Sequence, residues 1–75
     1  MIESLYELNN GKLILLSRIE VIGEIEEHFF FGIIMKSGVV ITEHYATEED
    51  VELGREELIE SWEEVNRKYN DKVPY

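Results

Sequence analysis

The pattern of hydrophobic and polar residues changes its period once along this chain, close to residue 47. Before that point, short apolar runs alternate with polar residues and are separated by turn-forming residues, a pattern typical of half-buried strands. After it, apolar residues recur at spacings of three, four and seven, as in an amphipathic helix. The sequence therefore predicts an α+β fold: an antiparallel β-meander of four to five strands, followed by one long C-terminal amphipathic helix.

Turn-forming residues divide the first part of the chain into five predicted strands. Asn9-Asn10-Gly11 and Ser37-Gly38 each lie between apolar runs, which indicates two hairpins. The apolar positions shift at Ser17-Arg18, which indicates a kink. Gly23 indicates a bulge or bend within a segment that alternates from Ile19 onwards. The predicted strands span about residues 2–8, 12–17, 19–27, 29–36 and 39–46 of a single domain, 1–75.

The last two strands are predicted to form a hairpin that is apolar on both faces. A two-residue loop at Ser37-Gly38 sets the register. One face would pair Met35 with Val40, Ile33 with Thr42, Phe31 with His44 and Phe29 with Ala46, and the other Ile34 with Ile41, Phe30 with Tyr45 and Gly32 with Glu43.

The helix is predicted over about residues 48–69, with a tail at 70–75. Thr47 is a suitable N-cap residue, and acidic residues follow it in the first turn. Gly54 lies near the apolar face, where a glycine costs roughly 1 kcal/mol, so we expect it to allow another element to approach closely. The apolar stripe is Val51, Leu58, Trp62, Val65 and Tyr69.

Size and cysteine content bear on assembly and location. A chain of 75 residues is near the lower limit for a stable single core, and it has no cysteine that could form a disulfide. We therefore expect a homo-oligomer. The N-terminus lacks the pattern of a signal peptide, and no apolar run approaches the ~20 residues of a membrane span. The expected location is the cytoplasm of a bacterial or infected host cell, without membrane contact.

The net charge of −10 is the strongest compositional signal. It argues against direct binding of DNA or RNA, because the summed field repels phosphates. Nine carboxylates lie between Glu48 and Glu64. Such a run is either a solvated helix face or a mimic of a nucleic-acid backbone. The candidate acidic face consists of Glu52, Glu56, Glu60 and Glu63.

No motif in the chain predicts catalysis, a metal site or a cofactor site. His28 and His44 lack the spacing of metal ligands, and the serines and glycines lack the context of a nucleophile elbow or a phosphate-binding loop. We therefore expect a protein that is not an enzyme. Arg18, Lys36 and Arg55 are candidate contacts for an anionic ligand.

The run Phe29-Phe30-Phe31 places aromatic rings on both faces of its strand, and one layer of protein can cover only one of them. Aromatic residues often anchor interfaces. The candidate interface is Phe29, Phe30, Phe31, Ile34, Ile41 and Tyr45.

The order of these segments resembles two groups of small proteins. The resemblance rests on the hairpin Leu8 to Lys12, an aromatic and aliphatic strand before Ser37-Gly38, and the Glu-rich helix with Thr47-Glu48-Glu49, Arg55 to Ile59 and Trp62. It is similar to FlbD-type small flagellar proteins, which carry Asn-Pro where this chain has Leu16-Ser17. It is more similar to small phage and mobile-element proteins, which implies a non-enzymatic role against host proteins or host signals.

Three functional hypotheses follow. The leading one is a non-catalytic interaction module, encoded by a phage or mobile element, that acts as a homo-oligomer and binds and blocks a host macromolecule. The second is a sponge that holds a small anionic signalling ligand between subunits. The third is an acidic nucleic-acid mimic that inhibits a defence protein.

Overall fold

The computed structural model describes the backbone of residues 5–71 and the side chains of residues 5–67. It confirms the α+β fold, with five antiparallel strands and one long C-terminal helix. Positions 2–4 of the first predicted strand and 72–75 of the predicted tail lie outside the described residues. The elements are β1 (Leu5–Glu7), β2 (Leu13–Leu15), a 3-10 turn (Leu16–Arg18), β3 (Ile19–Ile22), β4 (Phe30–Met35), β5 (Val40–His44) and α1 (Glu48–Asp71).

The strands form two sheets. β1 pairs with β2, and β3, β4 and β5 form a three-stranded sheet with β4 in the middle. The break between the sheets falls at the 3-10 turn, at the position where the sequence predicts a kink. The side chain of Leu16 is buried within this turn and belongs to the core. The turn therefore joins the two sheets by burying an apolar residue between them.

Both predicted hairpins form, and they share one loop geometry. In the first, the amide of Leu8 donates to the carbonyl of Lys12, and the amide of Gly11 donates to the carbonyl of Leu8. In the second, Met35 donates to Val39 and Gly38 donates to Met35. Each loop has three residues and ends on a glycine with positive φ, +87° at Gly11 and +94° at Gly38. This is the three-residue hairpin loop with a glycine bulge.

The predicted register of the second hairpin is wrong by one residue. A three-residue loop pairs Ile34 with Val40 and Phe31 with Glu43, where a two-residue loop would pair Met35 with Val40. Because side chains alternate between the faces of a strand, the shift moves every side chain of β5 to the face opposite the predicted one. One face of β4 and β5 therefore carries Phe31, Ile33, Ile41, Glu43 and Tyr45. The other face carries Phe30, Ile34, Val40, Thr42 and His44.

The predicted alternation of β3 is also wrong, because the bulge occurs earlier than Gly23. Val21 pairs with Ile34 and Ile19 with Met35, so Glu20 is an extra residue in β3. A bulge of one residue changes the face that later residues occupy. Ile19 and Ile22 therefore face the core, and Val21 faces outwards.

The turn between β3 and β4 contains two residues with positive φ, His28 at 67° and Phe29 at 60°. It is closed by a bridge between Glu26 and Phe30, in which the amide of Glu26 donates to the carbonyl of Phe30 at 2.7 Å. Positive φ is unfavourable for residues with a side chain, and a bulky aromatic residue rarely adopts it. Phe29, predicted as the first residue of a strand, therefore belongs to a strained turn.

The helix begins where the sequence predicts. The amide of Asp50 donates to Oγ1 of Thr47 at 3.1 Å, which confirms Thr47 as the N-cap. The helix continues to Asp71, two residues beyond the predicted end. Val51 and Leu58 are fully buried, whereas Trp62, which is predicted in the same apolar stripe, is only half-buried against the core. The predicted stripe residue Tyr69 lies outside the described side chains.

The core lies between α1 and the inner face of the three-stranded sheet, and the first hairpin closes one side of it. The fully buried side chains are Ile19, Phe31, Ile33, Val51 and Leu58, with Leu8, Ile14 and Leu16 beside them. Over the described part of the chain, no helix has the length and apolar character needed to cross a membrane. One helix covers one sheet face, and no described element covers the opposite face of the three-stranded sheet.

Candidate binding surfaces

The first candidate surface is the open face of the three-stranded sheet, which we call the outer sheet face. Val21, Ile34 and Val40 are paired in one row across all three strands. Their side chains are 45%, 39% and 62% exposed. The ring of Phe30 packs against His44 with centroids 5.3 Å apart in a second row. The exposed bulge residue Glu20 adjoins Val21, and Glu26 pairs with Phe30, so the row is an apolar strip with acidic residues beside it.

The structure divides the predicted interface residues between two faces. Phe29, Phe30 and Ile34 lie on or beside the outer sheet face, with Phe29 and Ile34 exposed. Ile41 and Tyr45 are half-buried against the core. Phe31 is fully buried, and including it among the contact residues is wrong for that reason. The division follows from the alternation of side chains within β4 and from the shifted register of β5.

The second candidate surface is an open cleft of about 710 Å³ between the first hairpin, the end of β5 and the first turns of α1. We call it the tyrosine cleft. Tyr6 and Tyr45 contribute aromatic rings, and four acidic residues line it; no lysine or arginine does so among the described side chains. The acidic residues are Glu7, Glu43, Asp50 and Glu57.

Gly54 is the residue of α1 that the Tyr45 ring approaches in the tyrosine cleft. A Cβ atom at residue 54 would lie 2.3 Å from the hydroxyl oxygen of Tyr45 and 2.5 Å from the ring carbon that bears it. The absence of a side chain thus lets the Tyr45 ring lie against the helix. The expected close approach at Gly54 is confirmed, and the approaching group is Tyr45 at the end of β5.

Glu43 is the buried polar residue of the cleft, with 2% of its surface exposed. Its Oε2 accepts a hydrogen bond from the backbone amide of Asn9 at 2.9 Å and a longer one from the hydroxyl of Tyr45 at 3.4 Å. The side-chain amide of Asn9 also donates to the carbonyl of His44. Asn9 therefore fixes the first hairpin to β5, and Glu43 lies beneath that contact.

Both tyrosines of the cleft are held in their neutral form. Burial and, to a smaller extent, the nearby carboxylate of Glu43 together raise the pKa of Tyr45 to about 12. Burial also raises the pKa of Tyr6, with the carboxylates of Glu57 and Glu43 adding to the effect. A neutral Tyr45 hydroxyl remains a hydrogen-bond donor towards Glu43. The ring of Tyr45 also stacks on Phe31, with centroids 6.1 Å apart.

The three candidate anion contacts do not form one site. Arg55 donates from Nε to the carbonyl of Gly23 at 2.7 Å, and its Nη2 lies 3.9 Å from Glu24, so it fixes α1 to the end of β3. Arg18 and Lys36 lie together, because the amide of Lys36 donates to the carbonyl of Arg18. They are about five residues from Gly23 along β3, which is roughly 16 Å at 3.3 Å per residue. The sponge hypothesis therefore rests on the exposed Arg18–Lys36 pair alone.

The predicted acidic face lies on the exposed side of α1. Glu52, Glu56, Glu60 and Glu63 are all exposed and follow helical spacing along one stripe. No group of three potential metal ligands occurs among the described residues. The carboxylates of the stripe are thus an extended charged surface.

Sequence reasoning missed the tyrosine cleft. The two-residue loop placed Glu43 opposite Gly32, away from Phe31, and Tyr6 was assigned only to a strand. A signal was available in β5: Ile41, Glu43 and Tyr45 alternate, so a carboxylate lies between two large apolar side chains on one face. Read with a three-residue loop, that pattern predicts a carboxylate on the core side of the sheet.

Comparison of the chain with protein-family models, with curated proteins and with solved structures found no match. The fold and the geometry of the two surfaces therefore carry the functional argument.

Proposed function

We propose that this protein is a non-catalytic interaction module that pairs with a second copy of itself through the outer sheet face, and that the pair binds and blocks another macromolecule. The observation that carries this proposal is the row Val21, Ile34 and Val40. It extends across all three strands, it is exposed, and it lacks charge in a chain of net charge −10. Contiguous exposed apolar surface of this kind commonly marks an interaction site.

The distribution of charge favours a second copy of the chain as the partner at this face. Two molecules of net charge −10 repel each other wherever their acidic surfaces meet. The outer sheet face lies opposite α1, which carries most of the carboxylates, so pairing through it keeps the two acidic helices apart. The same argument predicts that salt strengthens the pairing, because it screens the remaining repulsion.

The area of the outer sheet face sets the expected affinity between two copies. Three strands about 4.8 Å apart, with about six residues at 3.3 Å each, give a face of roughly 14 × 20 Å. Two such faces bury on the order of 500 Å², or on the order of 12 kcal/mol at about 25 cal/mol per Å². Association itself costs roughly 4–15 kcal/mol. The pairing is therefore expected to be reversible, with a dissociation constant no tighter than about micromolar.

Isotope-filtered NMR on a mixture of labelled and unlabelled protein tests the proposed face directly. Cross-peaks between protomers are expected for the methyl groups of Val21, Ile34 and Val40. The methyl groups of Leu53, which is 54% exposed on α1, serve as the matched control and should give none. Two results would exclude the outer sheet face as the interface between protomers. One is that the cross-peaks arise only from Leu53 or Leu13. The other is that no cross-peaks appear at concentrations where association is detected.

The nucleic-acid mimic is a second candidate function, and one observation favours it. Glu52, Glu56 and Glu60 are exposed at intervals of four residues, which is about 6 Å along a helix rising 1.5 Å per residue. A Glu56→Gln, Glu60→Gln variant should then compete less well with duplex DNA for a DNA-binding protein, and Glu43→Gln should compete like the wild type. Equal competition by all three proteins would exclude mimicry by this stripe.

A further inference from the structure

We propose that two copies of the chain pair about a two-fold axis parallel to β4, so that Glu26 of each copy faces the partner's His44 and the pairing depends on pH. This arrangement rests on the proposed pairing through the outer sheet face and adds its geometry and its regulation. It follows from the second row of that face, which ends in a carboxylate on one side and an imidazole on the other.

The second row of the outer sheet face consists of Glu26, Phe30 and His44. Phe30 of the central strand pairs with Glu26 on one side and with His44 on the other. Residues that are directly opposite each other in an antiparallel sheet point to the same face, so all three side chains are on the outer face. Both end residues are exposed. The ring of His44 packs against the ring of Phe30, which places the imidazole above the sheet.

Glu26 and His44 of one copy do not pair with each other. They are on opposite sides of Phe30, so two interstrand spacings of about 4.8 Å, roughly 10 Å in all, separate their backbones. No ion pair joins them in the described part of the chain. Both side chains can therefore contact a second molecule that covers the face.

Two-fold symmetry determines which residues of the second row meet. In a symmetric pair, when one residue contacts another across the interface, the reciprocal contact also forms. An axis parallel to β4 and directly above it exchanges the two sides of the sheet. It places Phe30 against the partner's Phe30, and it places Glu26 opposite the partner's His44 at two equivalent positions. Packed sheets are about 10 Å apart, a gap that side chains from both faces fill.

The same axis keeps the first row apolar throughout. It places Ile34 against the partner's Ile34 and Val21 against the partner's Val40. An axis across the strands would either leave the ends of the second row unpaired or place Glu26 and His44 against apolar side chains of the first row. A charged group that is buried against apolar surface is unfavourable, so the axis along β4 is favoured.

The charge of His44 makes this arrangement sensitive to pH. A histidine side chain changes its charge between about pH 5 and pH 8, whereas a glutamate remains ionised over most of that range. At the acidic end, an imidazolium faces a carboxylate in each pair. At the alkaline end, the imidazole is neutral and the attraction is lost. Association should therefore be stronger at about pH 5.5 than at about pH 8.

The other charged residues around His44 are not part of its row. Glu43 is buried on the inner face of the sheet, and the bulge residue Glu20 adjoins the first row at the opposite side. The neighbouring elements carry Glu7, Lys12, Arg18, Glu24, Glu27, Lys36, Glu48, Glu49 and Asp50. Protonation of both histidines also makes the net charge less negative, which favours association through any surface. The test must separate that general effect from the pair.

Sedimentation equilibrium of the full chain at about pH 5.5 and about pH 8 measures the pH dependence. The wild type should associate roughly two- to thirtyfold more tightly at the lower pH, the range expected for two exposed ion pairs. His44→Gln and Glu26→Gln should each lose most of this difference. His28→Gln removes the histidine that lies in the β3–β4 turn, outside the row, and should keep it.

An exchange of charges tests whether the two positions face each other. In a mixture of Glu26→Lys and His44→Glu proteins at about pH 8, the introduced lysine of one copy meets the introduced glutamate of the other. The mixed pair should therefore form in preference to either self-pair. A mixture of Glu60→Lys and His28→Glu proteins has the same net charges outside the row, and it should show no such preference.

Isotope-filtered NMR distinguishes failure of the axis from failure of the pairing. The axis predicts cross-peaks between the methyl groups of Val21 and the partner's Val40. Cross-peaks only between identical residues of the first row would overturn the axis and retain the pairing through the outer sheet face. Equal pH responses of His44→Gln and His28→Gln would do the same. A wild-type monomer at both pH values would overturn the pairing and the axis together.

Discussion

At the scale of single residues, Gly54 of α1 is the residue that the Tyr45 ring approaches. The glycine interrupts the apolar stripe of α1 at a place where a methyl group would overlap the Tyr45 hydroxyl. The sequence alone indicates that something approaches the helix here, because a mid-helix glycine is otherwise unfavourable. It does not indicate which side chain approaches, because that depends on the register of β5.

Gly54→Ala should destabilise the wild-type protein, although alanine is the better helix former. The added Cβ displaces the Tyr45 ring and breaks its hydrogen bond to Glu43. In a Tyr45→Ala background the same substitution should stabilise the protein by about 1 kcal/mol, the ordinary difference between the two residues in a helix. Urea unfolding of the four proteins measures this reversal of sign. Stabilisation by Gly54→Ala in both backgrounds would show that Tyr45 does not lie against the helix.

The pKa of Tyr45 should be about 12 in the folded protein, against 10.0 for an ordinary tyrosine. Because this pKa is raised, the unfolded chain loses the proton first. The associated stability should be intact below about pH 10 and should decrease as the pH rises towards 12. Residue-specific NMR of the tyrosine ring carbons measures the titration.

Glu43→Gln separates the two main causes of the raised pKa of Tyr45. Burial is the larger cause and remains in the variant, whereas the carboxylate is removed. The pKa of Tyr45 should therefore move part of the way back towards the ordinary value. Titration of Tyr45 at its ordinary value in the wild type would contradict the described position of its ring.

At the scale of elements, the sequence predicts the helix best and the strand pairing least well. Thr47 and the apolar stripe define α1 because capping and helical period are local properties. Loop length in a hairpin is also local, but Ser37-Gly38 is compatible with loops of two and three residues. The choice of three residues, with Gly38 alone at positive φ, shifts every partner of β5. Similarly, the bulge at Glu20 depends on how β3 pairs with β4, and a glutamate does not by itself indicate a bulge.

Thr47→Ala should lower the free energy of unfolding by about 1 kcal/mol, because the amide of Asp50 loses its acceptor. Thr47→Ser keeps the hydroxyl and is the matched control, so it should leave the free energy of unfolding nearly unchanged. Chemical denaturation of the three proteins gives the comparison. Similar losses in both variants would mean that the hydroxyl is not the source of the effect.

The turn between β3 and β4 gives another prediction at this scale. His28 has φ of 67°, so His28→Gly should be more stable than His28→Ala by about 1 kcal/mol, the cost of a side chain in the left-handed region. His44 in β5 provides the control, because glycine is unfavourable within a strand and the order there should be reversed. The same order at both positions would indicate that the turn does not hold His28 at positive φ.

At the scale of the whole molecule, charge and apolar surface lie on different sides. The carboxylates of α1 lie on one side, the apolar outer sheet face lies on the other, and the tyrosine cleft lies between α1 and the first hairpin. The pattern of apolar residues predicts that both faces of the 29–46 hairpin are apolar, and together with the short chain it predicts an oligomer. It does not predict which residues face outwards, because Val21 and Val40 reach that face only through the bulge and the three-residue loop.

Sedimentation equilibrium tests self-association through the outer sheet face most directly. It is measured at low and moderate salt, at concentrations up to about 1 mM, which is roughly a thousand times the tightest dissociation constant that the buried area allows. The wild type should exceed its monomer mass of 8.8 kDa and associate more strongly as salt increases. Val40→Lys should abolish association, and Leu53→Lys, an equal charge change at a similarly exposed residue on α1, should preserve it. A wild-type monomer at both salt concentrations, or equal association by the two variants, would contradict the account.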